Sequence, residues 1–282
     1  MENKAKMDKA VLRKLQIEEL NILNEVDRVC KKNKIEYFLV GGTLLGAVRN
    51  KGFIPWDDDL DIAMMRKDYD RFSKIAEEAL GKQYVWQTME NDDQYPGPYG
   101  KVRKKGTVCL ETSAKRIKNN GIYIDVFAFD DGCRTKVGHE LVKHTFTHLG
   151  RLLLVKSGYK VWKRNTGYNI LKKIAYFPYV AAAKFVSHKK IVEIYNTIRK
   201  SIKPSDWVYE QEGHNAIHRY KKVWIQPLKK MEFEGRFFPI PNNVHKYLTV
   251  AYGNYMALPP KNKRYNRHGF SYLDFGDGVN RA

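Results

Sequence analysis

Cysteine is scarce in this chain of 282 residues, and its copies are widely spaced. The three cysteines, Cys30, Cys109 and Cys133, form no Cys-x-x-Cys pair. Disulfide scaffolds and structural zinc sites need paired or clustered cysteines, so the pattern argues against both. It is typical of a protein in a reducing compartment, and we therefore expect a cytoplasmic setting.

Long apolar runs are also missing. Residues 1–10 carry charges and contain no apolar segment of the kind found in signal peptides. The longest apolar stretch, Ile174–Ala183, lies between Lys173 and Lys184 and is too short to cross a bilayer, which needs about 20 residues. The sequence therefore predicts neither a secretory signal nor a transmembrane segment.

Acidic residues are outnumbered, since 51 Lys and Arg face 31 Asp and Glu, for a formal net charge of +20. Such an excess favours an anionic partner, which is a nucleic acid, a phosphorylated polymer or an anionic membrane surface. The excess is concentrated in residues 134–230, which hold 21 basic and 5 acidic side chains. We therefore predict three parts: a core at 1–133, a basic, mainly helical region at 134–230, and a C-terminal segment at 231–282 that completes the site.

A strand, a glycine turn and a helix are predicted in succession near residue 40. Ile35–Val40 is β-branched and aromatic, as strands are, and it leads directly into Gly41, Gly42 and Thr43. Residues 44–49 then have the composition of a helix. Glycines let the backbone N–H groups at a helix N-terminus approach a ligand, so this segment is a candidate phosphate-binding turn.

Two aspartates that follow this turn are the strongest sign of a functional site. Asp59 and Asp61 stand two apart in a segment that we predict to be a strand. Both carboxylates then point to one face, while Leu60 and Ile62 point into the core. Two carboxylates on one face repel each other, and a hard divalent cation relieves that repulsion. The alternative is an acidic turn with Asp57–Asp58 in a solvated loop, but the preceding glycine turn favours a metal site.

A third carboxylate lies in an otherwise apolar segment, residues 121–129. A buried strand tolerates Asp125 only if the side chain is paired, hydrogen-bonded or metal-bound. From a neighbouring strand it would complete a two-metal site or accept a proton. Upstream, Lys101 and Arg103 alternate onto one face of a predicted strand, as a clamp for a diphosphate would. A solvated edge strand protected by lysine is the competing interpretation.

These segments resemble a known family. The stretch LLGAVRNKGFIPWDDDLDIAM is similar to the LicD family of the nucleotidyltransferase-fold superfamily, which includes the fukutin-type enzymes. Residues 252–260, YGNYMALPP, with the following Lys263, Arg264 and His268, are similar to that family's C-terminal motif. The resemblance implies an α+β fold in which a mixed sheet is flanked by helices, with a basic, largely helical region added to it.

The resemblance also implies a metal-dependent transferase that acts on a CDP-activated alcohol. LicD-type proteins are associated with moving phosphocholine from CDP-choline onto sugars of bacterial cell-surface glycopolymers, with release of CMP. The acceptor expected here is an anionic, lipid-linked, teichoic-acid-like precursor. The resemblance assigns Mg²⁺ or Mn²⁺ as the cofactor, held by Asp59, Asp61 and Asp125.

Further residues are expected to bind the nucleotide or the substrate. They are Gly41, Gly42, Thr43, Arg49, Lys101, Arg103 and His268. The glycine turn would contact donor phosphates, and the three long basic side chains would stabilise charge on the diphosphate. His268 either touches phosphate or the acceptor, or is a histidine on the surface of a basic tail.

Alternatives stay open at this point. The same carboxylates would serve a nucleotidyltransferase that moves NMP from an NTP, and a family member could instead transfer ribitol, glycerol or ethanolamine phosphate. Interleaved basic and aromatic residues also suggest nucleic-acid binding, but no RRM, KH or zinc-finger pattern supports it. The stretch Arg151–Lys200 is either an amphipathic surface for an anionic membrane, which would place the protein peripherally at the inner membrane face, or a helical lid.

Overall fold

A computed structural model describes residues 7–111, 119–159, 167–212, 216–266 and 268–282. Within these ranges, no helix combines the length and the apolar character needed to cross a membrane. The strands are β1 (Phe38–Leu39), β2 (Asp61–Met65), β3 (Tyr84–Gln87), β4 (Gly100–Lys104), β5 (Val108–Glu111), β6 (Tyr123–Asp131), β7 (Trp207–Glu212), β8 (Ala216–Lys221), β9 (Lys229–Phe233), β10 (Arg236–Ile240) and β11 (Phe270–Asp274). The helices are α1 (Lys9–Asn33), α2 (Gly41–Asn50), α3 (Arg66–Ala79), α4 (Lys136–Lys156), α5 (Gly167–Phe185), α6 (His188–Ser201), α7 (Lys222–Ile225) and α8 (Val244–Tyr252), and Lys261–Lys263 form a 3₁₀ turn.

A mixed sheet of seven strands forms the centre of the protein. Its path is β1-β2-β6-β4-β3, and the sheet is extended by β7, which pairs with β6, and by β8, which pairs with β7. Strands β2 and β6 run parallel, whereas the other pairs are antiparallel. Helices flank the sheet, and the short sheets β9–β10 and β5–β11 lie outside it. The predicted α+β architecture, a mixed sheet flanked by helices, is confirmed.

Helix α1 shows how local sequence sets an element that supports the sheet. The Asp8 side chain accepts hydrogen bonds from the N–H groups of Ala10 and Val11 and so caps the helix start. Lys34 adopts a left-handed conformation, with φ 52°, and ends the helix. Apolar residues spaced by three and four positions form the buried face that contacts β4 and β6. They include Leu12, Leu15, Ile22, Leu23, Val26 and Val29.

The basic region does not stand apart from the core. Helices α4 and α6 pack a second apolar cluster against β7, with Phe146, Ile191, Tyr195 and Tyr209 at its centre. Strands β7 and β8, which also belong to residues 134–230, continue the central sheet. Its described residues lie mainly in helices up to Ser201, and those that follow contribute strands. The division of the chain at residues 133 and 230 stays a prediction.

A buried ion pair lies at the end of β6, where the sequence Asp130-Asp131-Gly132 by itself suggests an ordinary turn. Asp130 is a residue of β6 with 4% exposure, and its carboxylate accepts two hydrogen bonds from Arg66, at 2.6 and 2.7 Å. Arg199 of α6 reaches the same carboxylate at 3.3 Å. An Asp-Asp-Gly sequence suggests a turn locally, but these two arginines supply the charge that a buried aspartate needs. The contact joins α3, β6 and α6.

A buried tyrosine joins the C-terminal helix α8 to the start of α2. The hydroxyl of Tyr247 accepts a hydrogen bond from the Gly41 backbone N–H at 3.3 Å and donates one to Glu210 Oε2 at 3.1 Å. Tyr220 stacks on Tyr247, with ring centroids 4.7 Å apart, and its hydroxyl lies 3.4 Å from the same Glu210 oxygen. Because Gly41 is the first residue of α2, this contact fixes where α2 begins relative to α8.

Replacing Tyr247 with Phe should lower the free energy of unfolding by about 1–3 kcal/mol, because buried hydrogen bonds to Gly41 and Glu210 are lost together. Amide hydrogen exchange at Gly41 should also accelerate. Tyr220→Phe is the matched control, since it removes a hydroxyl from Glu210 but leaves the Gly41 N–H bonded. Urea unfolding and exchange measured by mass spectrometry over residues 38–46 provide the readouts, and equal exchange in the two variants would contradict the role given to Tyr247.

Candidate active site

A cavity of about 640 Å³ opens beside the start of α2 and the first residues of β2. Segments from distant parts of the sequence line it: residues 54–61, residues 95–101, the end of α4, and residues 252–259. The three aspartates predicted to bind metal, Asp59, Asp61 and Asp125, all face this space. The fold therefore brings the carboxylates and the C-terminal motif to one site.

One wall of the cavity is a row of side chains on three adjacent strands. Asp61 of β2 pairs with Asp125 of β6, and Asp125 pairs in turn with Lys101 of β4. Paired residues on neighbouring strands project to the same face of a sheet. Lys101 Nζ lies 2.6 Å from Asp125 Oδ1, and both side chains are nearly buried. The ammonium group therefore offsets part of the negative charge that two adjacent carboxylates place on this face.

The glycine turn packs directly against acidic side chains. Gly41 has φ +54°, and a Cβ added there would lie 2.7 Å from Asp61 Oδ2. A Cβ added to Gly42 would lie 2.5 Å from Asp57 Oδ2. A Cβ at either position would displace an aspartate carboxylate, and the left-handed φ of Gly41 also favours glycine there. Thr43 is buried, and its hydroxyl accepts the Asp61 N–H at 2.8 Å. Thr43 therefore positions Asp61 and is not part of the cavity lining.

The prediction that Asp59 and Asp61 share a strand is wrong in its bounds, because β2 begins at Asp61. Sheet pairing with β6 starts at Leu60, whose carbonyl accepts the Asp125 N–H at 3.0 Å. The residues before it follow a turn and have no strand beside them. The predicted alternation still holds, since Leu60 and Ile62 are fully buried while Asp59 and Asp61 line the cavity.

His268 lies against the acidic segment rather than in a solvated tail. Its Nδ1 is 3.4 Å from Asp58 Oδ1 and 3.7 Å from Asp59 Oδ2. Burial opposes a charged imidazole, but the hydrogen bond to Asp58 and the negative charges of Asp59, Asp58 and Glu111 outweigh it and raise the pKa of His268 to about 10. Burial also raises the pKa of Asp59, an effect that His268 opposes and that Asp58 and Asp125 reinforce. At neutral pH the imidazolium therefore sits among carboxyl groups.

Two arginines predicted to bind the diphosphate have protein partners. Arg49 lines the cavity and donates to the backbone carbonyls of Tyr255 and Ala257, the latter at 2.8 Å. It thereby holds the C-terminal motif at the rim of the cavity. Arg103 is buried and donates to the Gln87 side chain and to the Gly121 carbonyl, at 2.5 and 2.8 Å. Arg103 does not line the cavity, so its place in a phosphate clamp is not supported by this geometry.

Sequence reasoning missed several residues that line the cavity. Glu111, at the end of β5, faces it, and so do Tyr95, Tyr99 and Tyr159. The tyrosines lie in or next to loops with no periodic pattern, and one glutamate at a strand end is unremarkable by itself. The residues between 252 and 259 were singled out only through the family resemblance, which supplied the signal that composition could not.

The donor set suits a hard divalent cation. Carboxylate oxygens are the ligands that Mg²⁺ and Mn²⁺ prefer, and five carboxylates line this one cavity. They are Asp57, Asp59, Asp61, Glu111 and Asp125. Behind them Glu19 of α1 is 2% exposed, and its Oε2 has no hydrogen-bond partner within the described ranges. Burial, reinforced by the surrounding aspartates, raises the pKa of Glu19 well above its usual value. So dense a negative charge fits a site for a cation.

The tightest group of possible ligands differs from the predicted trio. Ligand atoms of Asp58, Asp59 and His268 lie within 4.8 Å of one another, the only set of three that meets this limit in the parts of the chain described. Asp61 and Asp125 lie on adjacent strands of the same cavity. Asp59 belongs to both groups and links them.

Comparisons with known proteins show which chains this protein is similar to. Residues 34–153 match the family described as LicD/FKTN/FKRP, nucleotidyltransferase domain. The chain is also 46% identical over 54 residues to the uncharacterized protein RT0683 of Rickettsia typhi, a match that covers 19% of this chain and 18% of that protein.

A much longer match extends over nearly the whole chain. Over 272 residues it is 32% identical to the lipopolysaccharide cholinephosphotransferase LicD of Haemophilus influenzae. The alignment covers 93% of this chain and 97% of that relative, so it includes the acidic segment, the basic region and the C-terminal motif. A match of this length and identity, together with the family domain, shows that the chain belongs to the LicD family.

Proposed function

We propose that this protein transfers phosphocholine from CDP-choline to a sugar hydroxyl of a cell-surface glycopolymer precursor and releases CMP. The observation that carries the proposal is the full-length similarity to a lipopolysaccharide cholinephosphotransferase, combined with a cavity in which Asp59, Asp61 and Asp125 converge. The acceptor we propose is anionic, lipid-linked and teichoic-acid-like. The excess of basic residues in 134–230 supports an anionic acceptor.

We assign the cofactor as Mg²⁺ or Mn²⁺, held by Asp59, Asp61 and Asp125. When bound, such an ion would neutralise charge on the diphosphate of the donor and lower the pKa of the attacking hydroxyl. The all-oxygen donor set of the cavity supports this assignment.

The residues of the chain would then do the following. The acceptor oxygen forms a bond to the choline-side phosphorus, the bond from that phosphorus to the CMP oxygen breaks, and CMP leaves with the electron pair. Asp125 would take the proton of the hydroxyl. Lys101, 2.6 Å from Asp125, keeps that carboxylate oriented toward the cavity and adds positive charge near the phosphates. Arg49 holds the rim formed by residues 255–257 and so helps to exclude water.

Transfer of ribitol, glycerol or ethanolamine phosphate would use the same carboxylates, and so would NMP transfer from an NTP. These reactions differ in the donor that the enzyme uses and in the group that leaves. Release of CMP from CDP-choline, compared with CDP-ribitol, CDP-glycerol, CDP-ethanolamine and CTP in parallel, separates these reactions. Pyrophosphate release from CTP would favour a nucleotidyltransferase.

Changing Asp61 to Asn should reduce CMP release by at least about 100-fold, because a ligand and a charge opposite the diphosphate are lost. The Asp131→Asn variant is the matched control, since Asp131 pairs with Lys222 at 2.7 Å and does not line the cavity. CMP is measured by chromatography at saturating Mg²⁺, with EDTA as a second arm. Full activity in Asp61→Asn, or activity unchanged by EDTA, would contradict the assignment.

We also propose that helix α5 places the protein on an anionic membrane surface. Ile174, Phe177 and Phe185 are 66%, 71% and 89% exposed, and their spacing puts them on one side of the helix. Tyr179, on another side, contacts His148 of α4 instead. The exposed Lys184 follows on the same helix, and the apolar face with its cations matches an interfacial helix. Residues 160–166, part of the stretch considered in the sequence, lie outside the described residues.

A variant with Phe177 and Phe185 both changed to Ser should bind phosphatidylglycerol vesicles about 10-fold or more weakly than wild type, because two large apolar contacts with the interface are removed. Phe237→Ser is the matched control, since Phe237 of β10 is 66% exposed and belongs to a different surface element. Vesicle flotation at low and high salt provides the measurement. Equal binding by the double variant and the wild type, or no binding by either, would refute the proposal.

A further inference from the structure

Aromatic side chains and a carboxylate form one side of the cavity beside the reactive row. Tyr95 and Tyr99 lie with ring centroids 6.1 Å apart and ring planes at 88°. Phe127 of β6 packs against Tyr99 with centroids 4.6 Å apart. Tyr159, which follows α4, lines the same space. These rings come from different segments and meet beside Asp125, because Phe127 is two residues further along the same strand.

Glu111 supplies a negative charge at this wall. The Tyr123 hydroxyl donates a hydrogen bond to Glu111 Oε1 at 2.8 Å and so fixes the orientation of the carboxyl group. Burial opposes ionisation of Glu111, but Lys101, His268 and this hydrogen bond outweigh it and hold the pKa of Glu111 below its usual value. The negative charge of Glu111 in turn contributes, after burial, to raising the pKa of Tyr159 to about 12. Glu111 and Tyr159 both line the cavity, and neither belongs to the row formed by Asp61, Asp125 and Lys101.

The chemistry of the wall fits a quaternary ammonium group. A trimethylammonium ion has no N–H donor, so hydrogen-bond acceptors alone cannot bind it selectively. Aromatic faces attract the cation through their quadrupole, and a nearby carboxylate adds a charge–charge attraction. A primary ammonium has three N–H donors and is more strongly hydrated, and a ribitol or glycerol group carries no charge. Neither of these groups would gain as much from such a wall.

The rest of the cavity has a different character. Its other lining residues include Arg49 and Asn254, with the aromatic side chains Tyr252 and Tyr255 beside them. A guanidinium group, an amide and aromatic faces suit the phosphate, ribose and base of a nucleotide. Arg49 belongs to α2, which packs against β2, and Tyr99 directly precedes β4, so the two groups belong to the β2 and β4 ends of the row formed by Asp61, Asp125 and Lys101.

We propose that Tyr95, Tyr99 and Tyr159, together with Glu111, form the subsite for the trimethylammonium group of the donor. This inference rests on the proposed function and adds the residues that select choline over other alcohols.

Isothermal titration of the full-length protein with CDP-choline, CDP-ethanolamine and CDP, each with Ca²⁺ in place of Mg²⁺ to suppress turnover, tests the subsite. Wild type should bind CDP-choline more tightly than the other two ligands. Tyr99→Leu should weaken CDP-choline binding about 10-fold while leaving CDP binding unchanged, because an aromatic face of a cation site is lost. Tyr99→Phe keeps the ring and should retain the preference for choline.

Two further variants make the test specific. Glu111→Gln keeps an oxygen for the Tyr123 hydroxyl but removes the charge, so it should reduce the preference for CDP-choline over CDP. Tyr252→Leu changes an aromatic residue in the other half of the cavity and should alter the binding of CDP and CDP-choline by the same factor. Retained CDP binding in Tyr99→Leu and Glu111→Gln shows that the fold of these two variants is intact.

The outcomes separate the subsite from the function. If CMP is released from CDP-choline but Tyr99→Leu and Glu111→Gln weaken CDP and CDP-choline equally or not at all, the subsite is refuted and the proposed function stands. If wild type releases no CMP from any CDP-alcohol, the proposed function fails and the subsite fails with it. Selective loss of choline preference in both variants, with retention in Tyr99→Phe, supports the subsite.

Discussion

The parallel pairing of β2 with β6 places two carboxylates side by side, and the remainder of the site is arranged around their repulsion. Asp61 and Asp125 occupy paired positions, and neighbouring strands lie about 4.8 Å apart. At an effective dielectric constant of about 20, two unit charges at this separation repel by roughly 3 kcal/mol. The third strand in the row, β4, contributes Lys101, whose ammonium group lies 2.6 Å from the Asp125 carboxylate. The strand order β2-β6-β4 thus places two acidic residues and one basic residue next to one another. A strand inserted between β6 and β4 would separate Lys101 from Asp125 and remove this compensation of charge.

The same row explains why the glycine turn and the C-terminal segment belong to one site. Asp61 packs against Gly41 so closely that a side chain there would overlap its carboxylate, and Thr43 holds the Asp61 backbone. Gly41 is held in turn by Tyr247, which rests on the buried Glu210 of β7. A chain of contacts therefore leads from the carboxylates of the cavity through α2 to α8 and the extended edge of the sheet.

Local sequence patterns predicted the elements of this site better than its pairings. Burial can be predicted from residues that are neighbours in the sequence. The signals here are the alternation around Leu60 and Ile62, the apolar residues on both sides of Asp125, and the spacing of apolar residues along α1. The partners of charged groups are set by distant residues instead. An arginine side chain can donate its hydrogen bonds to a phosphate or to oxygen atoms of the protein. The residues next to Arg103 in the sequence therefore do not indicate that it binds Gln87 and Gly121. The local sequence around Asp130 likewise gives no sign of its partners, because Arg66 and Arg199 lie more than sixty positions away.

The distribution of charge reconciles two features that point in opposite directions. The chain carries +20 overall, which suggests an anionic partner, yet its cavity is lined by five carboxylates and would repel one. Charges separated by more than about 8 Å are largely screened at physiological ionic strength, so the basic surface cannot offset the acidic interior from a distance. Within the cavity, Lys101, Arg49 and His268 are too few to balance the carboxylates and a diphosphate as well. A nucleotide donor would therefore enter this space only with cations of its own, and the surface lysines would act on a different anion, outside the cavity. We therefore propose that the metal-bound donor lies inside the cavity. An anionic acceptor or a membrane would contact the basic surface outside it.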